Sequence, residues 1–265
     1  MIFTTPQGNW NLDIPSNHHT AIIKMSGGAD SAMMAYCIAK YKKEERPDLK
    51  IIIATTNGYP PKDWHIRYAN KVCDKIQELT GIDMSDRRQN QMKVDEVTYL
   101  GSDSDEQVRL SNYDKAQKEN EANILAQENN PEGRGVIFFN GMTANPPKDL
   151  RELYEDYHDG IKHMRMDQAS YLYERDPDVT YETGSTTEEL EQAYSWCWQQ
   201  PFRNFNKRSI AELYKSQGIL DELFPITRSC ENGGDVEYMK DPNMEFHCKE
   251  CWWCRERFWG FNRYI

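Results

Sequence analysis

The chain has 265 residues, 38% of them hydrophobic, and its 43 acidic against 32 basic side chains leave a formal net charge of −11. That length is enough to bury a full core in one large domain, and seven Trp, fifteen Tyr and nine Phe are more large apolar faces than a disordered chain carries. The acidic balance argues against a broad phosphate-tracking surface, so no nucleic acid is expected as a direct partner.

"TAIIKM", residues 20–25, reads as a short buried strand, after which helix formers run from Asp30 to Tyr41. "LKIIIATTN", residues 49–57, reads as a second buried strand. The next segment places Ala69, Val72, Cys73, Ile76 and Leu79 on one helical face and ends at Gly81, a C-cap residue. Strand, helix, strand, helix implies an α/β fold on a parallel sheet. Residues 85–134 turn acidic and amide-rich, and "DKAQKENEANILAQENN" is read as an exposed helix on an elaboration of the core. "GVIFFNGMT", residues 135–143, adds a buried strand ending in a glycine turn, while residues 146–186 show no clear period. "TTEELEQAYSWCW" is expected as a helix capped by Thr186 or Thr187, and "NKRSIAELYKSQG" as another, capped by Asn206 and stopped at Gly218. The opening residues carry no basic segment followed by an apolar run, and runs such as Ile51–Ala54 are too short to span a bilayer; a cytoplasmic chain without a membrane partner is expected.

Between the first strand and the first helix stands "SGGADS", residues 26–31. Glycine lets backbone N–H groups at the positive end of a helix approach an anion with no Cβ in the way. Ser26, Gly27, Gly28 and Ser31 therefore read as a phosphate cradle. The Gly-Lys-Ser/Thr ending of a Walker loop is absent, as is the third glycine of a dinucleotide fingerprint. The plain alternative is a capped helix start on a flexible turn.

This stretch resembles the Ser-Gly-Gly-x-Asp-Ser signature of the PP-loop ATP pyrophosphatases, with Ala32 where Thr or Ser is common. The resemblance implies a Rossmann-like adenine nucleotide alpha hydrolase fold and cleavage of ATP between its α and β phosphates. It implies also that Ser26, Gly27, Gly28, Asp30 and Ser31 bind the nucleotide, that Mg2+ is associated with Asp30, and that Asp30 and Ser31 serve catalysis.

Seven cysteines, an odd number with four near one end, suit reduced thiols used for metal better than a disulfide framework. Cys248, Cys251 and Cys254 stand at C-x2-C-x2-C, preceded by Cys230 in "TRSCENGG". Four thiolates close a tetrahedral zinc shell; the same run also surrounds iron–sulfur clusters, and unligated structural thiols are a third reading. His247 is read as a bystander, and Cys37, Cys73 and Cys197 as small buried hydrophobes on helix faces.

A PP-loop followed by a four-cysteine site resembles the 7-cyano-7-deazaguanine synthases of the queuosine precursor pathway. Residues 201–230 are similar to that family's segment between the motifs, with Lys207, Thr227, Ser229 and Cys230 at matching positions. Gly141, Asn145 and Asp149 are loose counterparts of a further family segment, and Lys249 stands where the family has glycine. The likeness implies an AMP-forming C–N ligase acting on 7-carboxy-7-deazaguanine and ammonia, with ATP, Mg2+, a structural Zn2+ and a homodimeric assembly. The expected organisation is an ATP-binding domain over 1–200, with a polar insertion at about 85–134, and a helical, zinc-binding region over 201–265. Two rivals stand beside it: another PP-loop adenylating enzyme, amide-forming or passing sulfur to a tRNA base, and a zinc-stapled nucleotide-binding module without turnover.

Overall fold

The computed structural model describes residues 1–57, 64–91, 103–147, 179–193, 196–230, 247–249 and 252–265, by backbone alone at 103–114 and 252. An antiparallel hairpin of β1 (Ile2–Thr5) and β2 (Gly8–Asn11) opens the chain. It alternates buried and exposed side chains, and its Trp10 ring lies 5.2 Å from both Phe3 and Phe202. Each of these strands is only four residues long, too short to show a period in the sequence.

The centre is a parallel sheet of β3 (Thr20–Lys24), β4 (Lys50–Asn57), β5 (Arg87–Gln91), β6 (Val136–Asn140) and β7 (Cys197–Gln199), in the order β5-β4-β3-β6-β7. Its three inner strands are apolar almost without interruption because both faces are covered. On one face Ile23, Ile53 and Phe139 join a core with Met33 of α1 (Ala29–Glu44) and with Ala69, Val72 and Ile76 of α2 (Trp64–Thr80). On the other, Ile22, Ile52 and Phe138 meet Ile124 and Leu125 of α3 (Asp103–Gln127). Each fully buried Ile or Phe here contributes about 1.5–3 kcal/mol over leaving it in water. Helix α2 ends as its sequence requires: Gly81 takes φ +74° and its N–H returns to the Gln77 carbonyl at 2.8 Å.

The remaining helices are α4 (Thr187–Gln192), α5 (Lys207–Ser216), α6 (Leu220–Leu223), which runs into a 3-10 turn at Phe224–Ile226, and α7 (Trp252–Phe261). Thr186 and Glu189 form a reciprocal capping box on α4. Asn206 caps α5 by accepting from Arg208 N at 3.0 Å and Ser209 N at 3.4 Å. Ile210, Leu213 and Phe261 complete the core on the α1 side. Among the described residues no helix is long and apolar enough to cross a membrane.

Two expectations are corrected. The helix from Thr187 stops at Gln192, and Cys197 lies half-buried in β7 rather than on a helix face. The reason is aromatic packing: Trp196 and Trp198 sit 4.8 and 5.0 Å from the Phe138 ring, which draws this stretch into the sheet. Residues 85–134 are also no mere elaboration, since β5 pairs with β4 and the last turns of α3 bury Asn120, Glu121, Ile124 and Leu125 against the second face. The polar sequence hid this: β5 is an edge strand, and Arg88 pairs with Asp86 and Glu128 instead of packing in apolar surroundings.

The connection through α3 carries the chain across the sheet, so strand order reverses between β3 and β6. In doubly wound sheets a ligand crevice opens outside the carboxyl ends of the two strands at that reversal. The glycine turn after β3 and Gly141 after β6 both lie there.

Candidate functional site

The turn is shaped by its neighbours. Gly27 adopts φ +79°, and a Cβ on it would stand 2.5 Å from Tyr68 Cβ and 2.8 Å from Ala69 N, so α2 presses directly on this backbone. Gly28 is the extended N-cap of α1 and supplies no side-chain cap; its carbonyl accepts from Ala32 N at 3.0 Å and Ser31 Oγ at 3.1 Å. Ser26 Oγ and Ser31 Oγ are 3.2 Å apart, and Ser26 Oγ accepts from Gly28 N at 3.3 Å. From across the crevice Gly141 approaches so closely that a Cβ there would be 3.0 Å from Ser31 N. The structure thus brings Ser26, Gly27, Gly28, Asp30 and Ser31 together at a helix N-terminus bare of side-chain caps, walled by glycine on both strands.

Charge surrounds the turn. Asp30 forms an ion pair with Lys207, the first residue of α5, whose side chain is 8% exposed. Lys207 Nζ is also 3.4 Å from Thr143 Oγ1 and 3.8 Å from a carboxylate oxygen of Glu256. Tyr214, about two turns along the same face of α5, donates its hydroxyl to the Ala29 carbonyl at 2.8 Å, and burial holds its pKa well above the usual phenol value.

The segment Thr227–Cys230 ties the turn to the cysteines. Arg228 N–H donates to Gly27 O at 2.8 Å. Arg257 of α7 is wholly buried and binds Thr227 Oγ1 at 2.9 Å, Ser229 Oγ at 3.2 Å, Phe224 O at 2.9 Å and Tyr264 O at 2.8 Å. Its guanidinium lies 3.7 Å from the Phe224 ring centre, and burial lowers its pKa to about 10. Neither this arginine nor Glu256 stood out in the sequence, where "CRERF" reads as ordinary surface charge.

Cys230, Cys248 and Cys254 are buried with their sulfurs mutually within 4.8 Å. Cys248 and Cys254 sulfurs are 3.8 Å apart, about the S···S edge of a tetrahedron with metal–sulfur bonds of roughly 2.3 Å. His247 Nδ1 stands 3.8 Å from Cys254 Sγ, and burial first, then Arg257 and Arg228, push its pKa down to about 3. It is thus a close neighbour of the cluster, nearer than a bystander need be. Cys251 and Asp149 lie outside the described residues. Cys37 and Cys73 sit in the core, and desolvation raises the first thiol well above its ordinary pKa and the second to about 12, which suits inert packing groups. Set against known proteins, the sequence matches no family model and no curated protein.

Proposed function

We propose that the chain is an AMP-forming ligase of the PP-loop type that converts 7-carboxy-7-deazaguanine and ammonia to 7-cyano-7-deazaguanine. The observation that carries the adenylating chemistry is the turn at residues 26–31, pinched between α2 and Gly141 at the strand-order reversal, with Asp30 at its mouth. The deazaguanine acid as acceptor rests on the resemblance of the two motifs together and of residues 201–230.

In this reading a substrate carboxylate attacks the α phosphate of ATP, and the bond to the β phosphate breaks. Pyrophosphate leaves into the turn, where first-turn N–H groups of α1 stabilise its charge without reorganising. Ammonia displaces AMP to give the amide. The amide oxygen attacks the α phosphate of a second ATP, a second pyrophosphate leaves, and loss of AMP together with the two N–H protons gives the nitrile. Ser26 and Ser31 hold the turn in shape. Asp30 would hold Mg2+, which neutralises polyphosphate charge. Cys230, Cys248, Cys254 and, by its spacing, Cys251 would hold zinc in a closed structural shell. Three sulfurs within 4.8 Å of one another suit one ion, whereas a cluster spreads its ligands over two or more irons.

Supplied with ATP, Mg2+, ammonia and 7-carboxy-7-deazaguanine, the protein should release AMP and pyrophosphate and yield the nitrile by mass spectrometry. Asp30→Ala should abolish turnover. AMP formed with a different acid would keep the adenylation and replace the acceptor; ADP release would remove both. Elemental analysis with a visible spectrum decides between zinc and an iron–sulfur cluster.

A further inference from the structure

Lys207 faces two carboxylates with one charge. It is bonded to Asp30, while Glu256 Oε2 lies 3.8 Å away, beyond hydrogen-bond reach. Glu256 is 3% exposed, and its Oε1 has no hydrogen-bond partner among the described residues. A buried carboxylate so poorly served is costly unless some other state of the protein serves it. The root of Lys207 is packed tightly under α7: a Cβ on Gly260 would run into Lys207 Cβ. Its ammonium needs to travel only about 1 Å to reach charge-assisted bonding distance from Glu256.

We propose that Glu256 is the second seat of Lys207: when a divalent cation takes Asp30, the ammonium passes to Glu256. The inference rests on the nucleotide-binding reading above and deepens it. Lys207 and a cation compete for one carboxylate, and Glu256 lowers the cost of displacing the lysine. The cation site is thereby linked to α7, the helix that also carries Cys254.

The test is Mn2+ binding to the full chain in the presence of α,β-methylene-ATP, read from the electron paramagnetic resonance of unbound Mn2+. Glu256→Gln should weaken Mn2+ about tenfold, within the range of coupling between linked sites. Lys207→Gln should tighten it, and in that background Glu256→Gln should no longer weaken it. Glu256→Gln that lowers Tm yet binds Mn2+ like the wild type would overturn the hand-over and leave Glu256 a structural brace. Weaker Mn2+–nucleotide binding by Lys207→Gln would overturn it too, making Lys207 a phosphate ligand. Should Glu256→Gln not fold, Glu256→Asp, which draws the carboxylate back by one methylene, takes its place: weaker Mn2+ binding that disappears in the Lys207→Gln background supports the hand-over, and unchanged binding overturns it. A wild-type chain that binds neither Mn2+ nor the nucleotide removes the underlying reading with the proposal, whereas wild-type binding indifferent to both substitutions removes the hand-over only.

Discussion

Six consecutive residues make the glycine turn, whereas the cysteine cluster draws Cys230 from ahead of residues 231–246 and Cys248 and Cys254 from beyond them. The turn owes its shape to the fold: α2 packs on Gly27, Gly141 on Ser31, and the serine hydroxyls bond within it. Buried sulfurs offer each other only weak hydrogen bonds, so on the metal reading the cluster owes its shape to an ion. On that reading the turn is organised by the fold alone and the cluster by an ion. The Arg228 N–H to Gly27 carbonyl bond joins them, so loss of order at the cysteines should be felt at the turn while the sheet beneath is spared.

The largest break in that comparison should come from Cys254→Ser. Structural zinc contributes on the order of 10 kcal/mol in small domains, and one lost thiolate forfeits much of it. Elemental analysis should show the ion gone, and amide exchange should accelerate across α7 and residues 224–230 while β3, β4 and β6 keep their protection. A variant that retains the metal, or one in which the sheet opens equally, would end the division between a self-organised turn and an ion-organised cluster.

Glycine substitutions probe the other side. Gly27→Ala would need a left-handed conformation and would drive a methyl into Tyr68 and Ala69, a cost of about 3 kcal/mol or more in urea unfolding. Gly81→Ala has a similar φ of +74° but open space around it, so it should cost about 1–2 kcal/mol. Gly28→Ala has an ordinary φ of −78° and a nearest neighbour at 3.3 Å. It should leave stability nearly unchanged while weakening ATP binding, since its methyl lines the cradle. A Gly28→Ala protein that binds ATP like the wild type would mean that the anion does not sit in this turn.

The same contrast explains what could be read from the sequence. The inner strands, α2 and the caps at Thr186 and Asn206 follow from local pattern, because apolar period and capping chemistry are properties of neighbouring residues. The turn at 26–31 was legible for the same reason. What escaped is whatever depends on distant partners. Arg87–Gln91 shows no strand alternation because its side chains find Asp74, Asp86 and Glu128 at the sheet edge. Arg257 looks like a surface charge until its backbone acceptors, Phe224 O and Tyr264 O, are folded around it. Lys207 was marked only by resemblance, and its pairing with Asp30 joins residues far apart in the chain.

The smallest expected effect lies at Lys249, between the first two cysteines of the triplet. It takes φ +65°, a left-handed backbone that costs a non-glycine residue about 1–2 kcal/mol. Glycine there would relieve this strain in the metal-bound state, but it would also gain freedom in the unfolded chain and forfeit the Lys249 ammonium held 5.6 Å from the Tyr264 ring centre, each worth about 0.5 kcal/mol. The net gain for Lys249→Gly is therefore about 0.5 kcal/mol, roughly a twofold rise in resistance to a competing chelator. Tighter retention would mean that the Lys249 backbone is held against its own preference by the ion. Faster release would mean that the lysine–tyrosine contact, and not the metal, sets that backbone, and the cluster would then stand closer to the glycine turn in how it is organised.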